Sequence, residues 1–181
     1  MGPVVESSRR PCPARRRQRG QGLVEFALVL FPLFLIILGI VQFGFIFNTY
    51  VTMTSAAREG ARSGTIYIYS QALSKGQNDL ARNNTILTSV TNAMNMLSKT
   101  APQFTTGGTW SQSGSTYTNG DLTISYVVPS GVTDNDPRTG EQVTVTATYH
   151  QDLIVPLIAN FLPKDAGGRL ALQGAVTMVI N

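Results

Sequence analysis

No charged residue occurs between Phe26 and Ala57. The most apolar part runs from Leu23 to Phe47 and is interrupted only by Glu25, Pro32, Gln42 and glycines. About 20 apolar residues cross the hydrocarbon core of a bilayer as a helix. In a chain of 181 residues a buried core helix this long and apolar is not expected, so a membrane span is predicted over about residues 24–47. Membrane lipid is its first expected partner. Pro32 lies inside the span, removes one helical hydrogen bond and is tolerated there when neighbouring groups take up the freed carbonyl.

The net charge of +4 gains its meaning from position. Arg9, Arg10, Arg15, Arg16, Arg17 and Arg19 precede the span and, with Glu6 and Glu25, account for all of it. From Asn48 onward eight Lys/Arg balance eight Asp/Glu. A neutral domain lacks the field that phosphate neutralisation requires, so no nucleic-acid partner is expected. Arginines placed before a span hold that end in the cytoplasm, which puts the rest of the chain outside. A cleaved secretory signal shares the basic and apolar regions, but its apolar part is about 7–15 residues, shorter than the run here. The lone Cys12 allows no intramolecular disulfide.

Glu25 stands at the start of the span, within Arg19-Gly20-Gln21-Gly22-Leu23-Val24-Glu25-Phe26. A carboxylate near lipid is costly and usually has a partner or a role. One reading is interfacial, with Glu25 at headgroup depth beside the positive helix N-terminus. The surroundings suggest more. The segment resembles the processing site of type IV-like prepilins, in which a membrane peptidase cuts after a glycine that ends a basic leader. The resemblance implies a cut between Gly20 and Gln21, which makes Glu25 the fifth mature residue and Phe26 the aromatic that follows it. It further implies that Glu25 pairs with the new terminal amine of a neighbouring subunit, lowering the cost of both charges.

The likeness continues through Val24-Glu25-Phe26-Ala27-Leu28, Gln42-Phe43-Gly44 and Ala56-Ala57-Arg58-Glu59-Gly60-Ala61-Arg62. These pieces resemble the TadE-like family of minor pilins and pseudopilins of the Tad (Flp) pilus. Phe31 before Pro32, and Gln42 in place of the commoner acid, depart from the pattern. The resemblance implies a processed subunit acting in pilus assembly, adhesion or secretion, anchored once in the cytoplasmic membrane. Its implied partners are prepilin peptidase, other pilin or pseudopilin subunits and Tad assembly proteins. The alternatives are an unprocessed single-span assembly factor and, with less support, an anchored exported binding module or enzyme.

Beyond the span the helix is predicted to continue to about Arg62. Ala56, Gly60 and Gly64 recur every four residues and place small side chains in one stripe, where another element can approach closely. Three regions result: a leader over 1–20, a transmembrane and spine helix over 21–64, and an exported domain over 65–181. Ile66–Tyr69 reads as a short strand or extended link. A second helix is expected from about Asn78 to Lys99, with Leu80, Ile86, Leu87, Val90, Ala93, Met94 and Leu97 on its apolar face.

The period then changes to two. Gln103–Asn119, rich in Gly, Ser and Thr, reads as a loop or weak hairpin. Three antiparallel strands are expected around Leu122–Val128, Val143–Tyr149 and Leu170–Ile180, each with one buried face. The last strand is expected inside the sheet or pairing at an edge with a partner. The fold class is therefore α+β.

Chemistry is sparse. His150 is the sole histidine and ends a strand, so it reads as a surface or boundary residue rather than a catalytic base. No enzyme activity, cofactor or metal is expected. Asp134–Glu141 superficially resembles a calcium loop, but Pro137 and Arg138 interrupt the ligands, and an Asx/Pro turn explains the same residues. The apolar run Leu153–Leu162 is too short to cross a membrane. It reads as core packing or, alternatively, as an exposed patch meeting a partner pilin or the outer leaflet.

Overall fold

A computed structural model describes residues 18–133, 138–155, 159–160 and 162–181, with side chains from Gln21 onward. The chain divides into two compact units, Met1–Ile40 and Val41–Asn181. In the first, the described residues are helical and every described side chain is exposed or half-buried. They begin α1, Gln18–Thr65, which contains Pro32.

The second unit holds the rest of α1, helix α2 (Lys75–Met94) and a short 3-10 helix (Asn95–Lys99). It also holds strands β1 (Ser111–Ser113), β2 (Thr116–Asn119), β3 (Leu122–Val127), β4 (Gln142–Gln151) and β5 (Leu170–Val179). The α+β class is as read from the sequence. Ile66–Tyr69 forms an irregular link and no strand. Helix α2 starts a turn earlier than expected because Ser74 and Gln77 form a capping box, each side chain meeting the other's backbone N–H. It stops at Asn95, whose φ of 53° is left-handed, and the chain tightens into the 3-10 turn.

The sheet is an antiparallel meander in the order β1-β2-β3-β4-β5. Five strands form where three were expected. The two additional ones come from the stretch read as a loop or weak hairpin. Gly120-Asp121 makes the tight β2–β3 turn between the paired Asn119 and Leu122, with Gly120 at φ 59°, and a Cβ there would strike the Thr105 carbonyl. The last strand is not interior: β5 is an edge strand, hydrogen-bonded to β4.

Register places Tyr117 opposite Ile124, Ile124 opposite Val145 and Val145 opposite Val176. These residues share the face that packs on the helices. The other face of β2–β5 is threaded with Thr and Ser, including a Thr144–Thr177 hydroxyl pair at 2.7 Å. The core joins this sheet face to Met53, Ala56 and Ala61 of α1 and to Ile86, Val90 and Met94 of α2. Leu80 and Ala93, expected on the apolar face of α2, are exposed. The buried face of its first half is polar instead: Asn78, Asp79, Arg82 and Asn83.

Candidate functional site

Gln21–Thr65 forms the one described helix long and apolar enough to cross a membrane, with a mean hydropathy of 2.8 in its most apolar window and none of that window buried. Near its start, the Gln21 Nε2 donates to the Glu25 carboxylate at 3.0 Å, one turn away. Both side chains are exposed, as is Phe26. Gly20 lies in the helical backbone. The leader up to Arg17 and Cys12 lie outside the described residues.

Within the second unit one face of α1 is committed to the domain. Gln42, only 1% exposed, accepts the backbone N–H groups of Ile154 at 2.8 Å and Val155 at 3.2 Å through its Oε1. Seven residues on, the buried Thr49 hydroxyl donates to the Gln151 side chain at 2.8 Å. Positions 42, 49, 53, 56 and 60 thus repeat at intervals of seven, four, three and four, which keeps them on one side of the helix.

The small residues continue this face. Ala56 is buried, a Cβ on Gly60 would collide with Val90 Cγ2, and one on Gly64 would lie 2.7 Å from Ile86 Cδ1. Lower on the same face, a Cβ on Gly174 of β5 would stand 2.7 and 2.8 Å from the carbonyl carbon and oxygen of Met53. The strand therefore runs directly beneath helix backbone there. Glu59 and Arg62 pair at 3.4 Å on the exposed side.

Beneath α2 lies a buried charge cluster. The Arg138 guanidinium donates from Nε and Nη2 to the two oxygens of Asp79, at 2.8 and 2.9 Å, and from Nη1 to Glu141 at 2.6 Å. Its carbon lies 4.5 Å from the Tyr126 ring centroid. Tyr117 donates to Asp79 at 3.2 Å, and Tyr126 to Asn83 at 2.7 Å. Burial opposes the arginine's charge, but the hydrogen bonds and charges of Asp79 and Glu141 outweigh it and raise its pKa. Burial raises both tyrosines; Asp79 adds to that rise.

This arrangement bears on the loop read as a turn or calcium site. Asp134–Pro137 lie outside the described residues. Arg138 and Glu141 turn inward, and Glu141 is fully buried against the arginine. Among the described residues no group of three or more His, Cys, Asp or Glu side chains is placed to hold a metal ion.

His150 sits at a boundary position near the end of β4, with a carboxylate at each ring nitrogen. It is half-buried, its Nδ1 lies 2.5 Å from Asp165 and its Nε2 lies 3.3 Å from Asp121. Both ring nitrogens are taken by carboxylates on opposite sides, so the three groups do not converge on a common point. The backbone N–H of Arg169 lowers the Asp165 pKa most; desolvation opposes it, and His150 and the Gly167 N–H lower it further. The cluster clips the β2–β3 turn and the approach to β5 onto the end of β4.

The apolar run Leu153–Leu162 divides. Val155 and Ala159 are buried, while Ile154 is exposed. Pro156–Ile158 and Phe161 lie outside the described residues.

Residues 20–62 match the TadE-like protein family. The TadE-like segment holds Gly20, Gln21, Glu25, Phe26, Gln42, Ala56 and Gly60, and stops just short of Gly64. It covers about a quarter of the chain. No curated protein and no solved structure gives a significant match. The TadE-like segment relates the chain to Tad pilus proteins in general terms, and the one helix of membrane-crossing length and apolarity among the described residues fits a single-pass membrane protein.

Sequence reasoning passed over Gln42 and Thr49 as functional positions, and Asp79, Arg82, Asn83 and Arg138 as buried ones. Gln42 and Thr49 carried a signal, being two polar side chains seven apart in or beside an apolar run. The buried polar face of α2 carried none, since Asn, Asp and Arg on a helix ordinarily mark the solvated side.

Proposed function

We propose that the chain is a structural subunit of a Tad-type pilus or its assembly base, a minor pilin or pseudopilin released from its leader by prepilin peptidase. The cut falls between Gly20 and Gln21. The N-terminus starts in the cytoplasm and the domain from about residue 65 onward lies outside the cytoplasmic membrane. Glu25 then pairs across subunits with a terminal amine, and Phe26 flanks it. The protein works by packing, with no catalytic step and no cofactor.

The observation that carries this reading is the coincidence of the TadE-like match over residues 20–62 with an exposed, uncharged helix led by Glu25. The balanced charge of the domain and the commitment of both His150 nitrogens to carboxylates support a structural role over an enzymatic one.

N-terminal sequencing of the protein from its host membrane tests the processing. A start at Gln21 is expected, and Gly20→Ala leaves the arginine leader in place. An intact leader on the wild-type protein refutes processing and favours the unprocessed assembly factor. Glu25→Ala is expected to be cut normally yet to lower the pilus yield at least tenfold, and an unchanged yield removes the pairing role of Glu25.

A further inference from the structure

We infer that Ile154, at the start of the β4–β5 connection, is a second point of membrane contact, set among the acyl chains of the outer leaflet beside Gln42 of α1. This rests on the reading of α1 as a membrane helix and goes beyond it, since no span is needed for a strand connection to touch lipid.

Gln42 ties Ile154 and Val155 to α1. It falls within the sequence limits expected for the span, about residues 24–47, and its side chain holds the backbone of Ile154 and Val155 at hydrogen-bond distance. Whatever depth the bilayer gives Gln42, it gives those two residues within a few ångströms. The helix surface around Gln42 is apolar and open: Val41, Phe43, Phe45 and Phe47 are all exposed. Ile154, 62% exposed, adds to that surface.

The chemistry around Ile154 fits lipid better than water. From Leu153 to Pro163 there is no charged residue, and Asp152 and Lys164 bracket the run. Irregular backbone at membrane depth is tolerated only where its N–H groups find partners inside the protein, because each unpaired group costs several kcal/mol in hydrocarbon. Gln42 supplies one acceptor for two consecutive N–H groups. In water those groups would bond to solvent, and burying a glutamine in an apolar helix to meet them would bring little gain. Just outside the run, Asp152 pairs with Arg169 at 2.9 Å, a charged rim suited to the headgroup layer.

The test uses the full chain in phosphatidylethanolamine–phosphatidylglycerol bilayers, with Cys12→Ser and a single labelled cysteine in turn at positions Ile154, Phe34 and Ile68. Phe34 lies in the expected span and Ile68, 88% exposed, beyond it. A nitroxide at Ile154 is expected to resemble one at Phe34: several-fold more accessible to oxygen than to a water-soluble nickel chelate, with the reverse ratio at Ile68. Gln42→Leu, which removes the acceptor, is expected to shift the Ile154 ratio toward that of Ile68. A lipid signature at Phe34 with an aqueous one at Ile154 overturns the inference and leaves the span intact. Shielding of Ile154 from both reagents overturns it in favour of a protein partner. An aqueous signature at Phe34 overturns the span itself.

Discussion

Replacing Arg138 by alanine should destabilise the exported domain out of proportion to the area lost. The guanidinium is the direct partner of two buried carboxylates, Asp79 at 5% and Glu141 at 0% side-chain exposure. Removing it takes away the 2.6 Å partner of Glu141 and leaves Asp79 with Arg82, at 4.0 Å, as its nearest cation. Breaking a buried pair from one side costs about 3–5 kcal/mol, a large share of the roughly 5–15 kcal/mol that holds a domain folded. With a urea dependence of about 1–3 kcal/mol per molar, the midpoint should fall by more than about 1 M. Trp110, the sole tryptophan, reports the transition, because its Nε1 donates to Asn84 of α2 at 2.8 Å and loses that contact when the helix leaves the sheet. The assay is urea titration of the full protein in micelles followed by its fluorescence. The companion variant Asp79→Asn/Arg82→Met/Arg138→Met/Glu141→Gln removes the four enclosed charges together and should recover most of the loss, since a whole buried cluster often contributes little net stability. An Arg138→Ala midpoint within a few tenths of a molar of wild type, or a quadruple variant no better than the single one, refutes the view that these charges are held by one another.

The two glycines that face helix and strand should respond differently to alanine. Gly64→Ala meets only the flexible tip of Ile86 and gains about 1 kcal/mol of helix propensity, so its thermal midpoint should move little; Gly174→Ala meets the backbone of Met53 and Thr54 and should cost about 1–3 kcal/mol or more, seen as a drop of several degrees by circular dichroism. Alkaline titration should reveal the buried tyrosines. Their pKa values are raised above 10.0, so the neutral forms stabilise the fold fully below that pH, and this contribution is lost as the pH climbs through the folded values. Tyrosinate absorbance of Tyr117 and Tyr126 should therefore rise only together with unfolding, and Tyr126→Phe should weaken that coupling.

Where one period dominated, the sequence was easy to read. The alternation in Val143–Tyr149 gave β4 its buried face, and the uncharged run gave α1, because each pattern answers to a single environment. The difficulties arose where local chemistry sets geometry. Ser74 and Gln77 moved the start of α2 through two hydrogen bonds that hydrophobic periodicity does not register. Gly120-Asp121 closed a hairpin in a stretch too poor in apolar residues to look like strands. Asp79 and Arg138 stand 59 positions apart, and nothing in either neighbourhood announces the other. At the candidate site, Gly20, Gln21, Glu25 and Phe26 were read from a local motif. Gln42 acquired its partner only when a loop 112 positions away folded onto it.

The inward-turned charges change what the domain presents to its surroundings. Among the described charged residues beyond Asn48, Arg82, Arg138, Asp79 and Glu141 are enclosed, two of each sign. Hydroxyl and amide groups supply much of the remaining polarity, as on the Thr-lined outer face of the sheet. Copies of such a body can be crowded side by side with little mutual repulsion, and salt has few surface charges to screen.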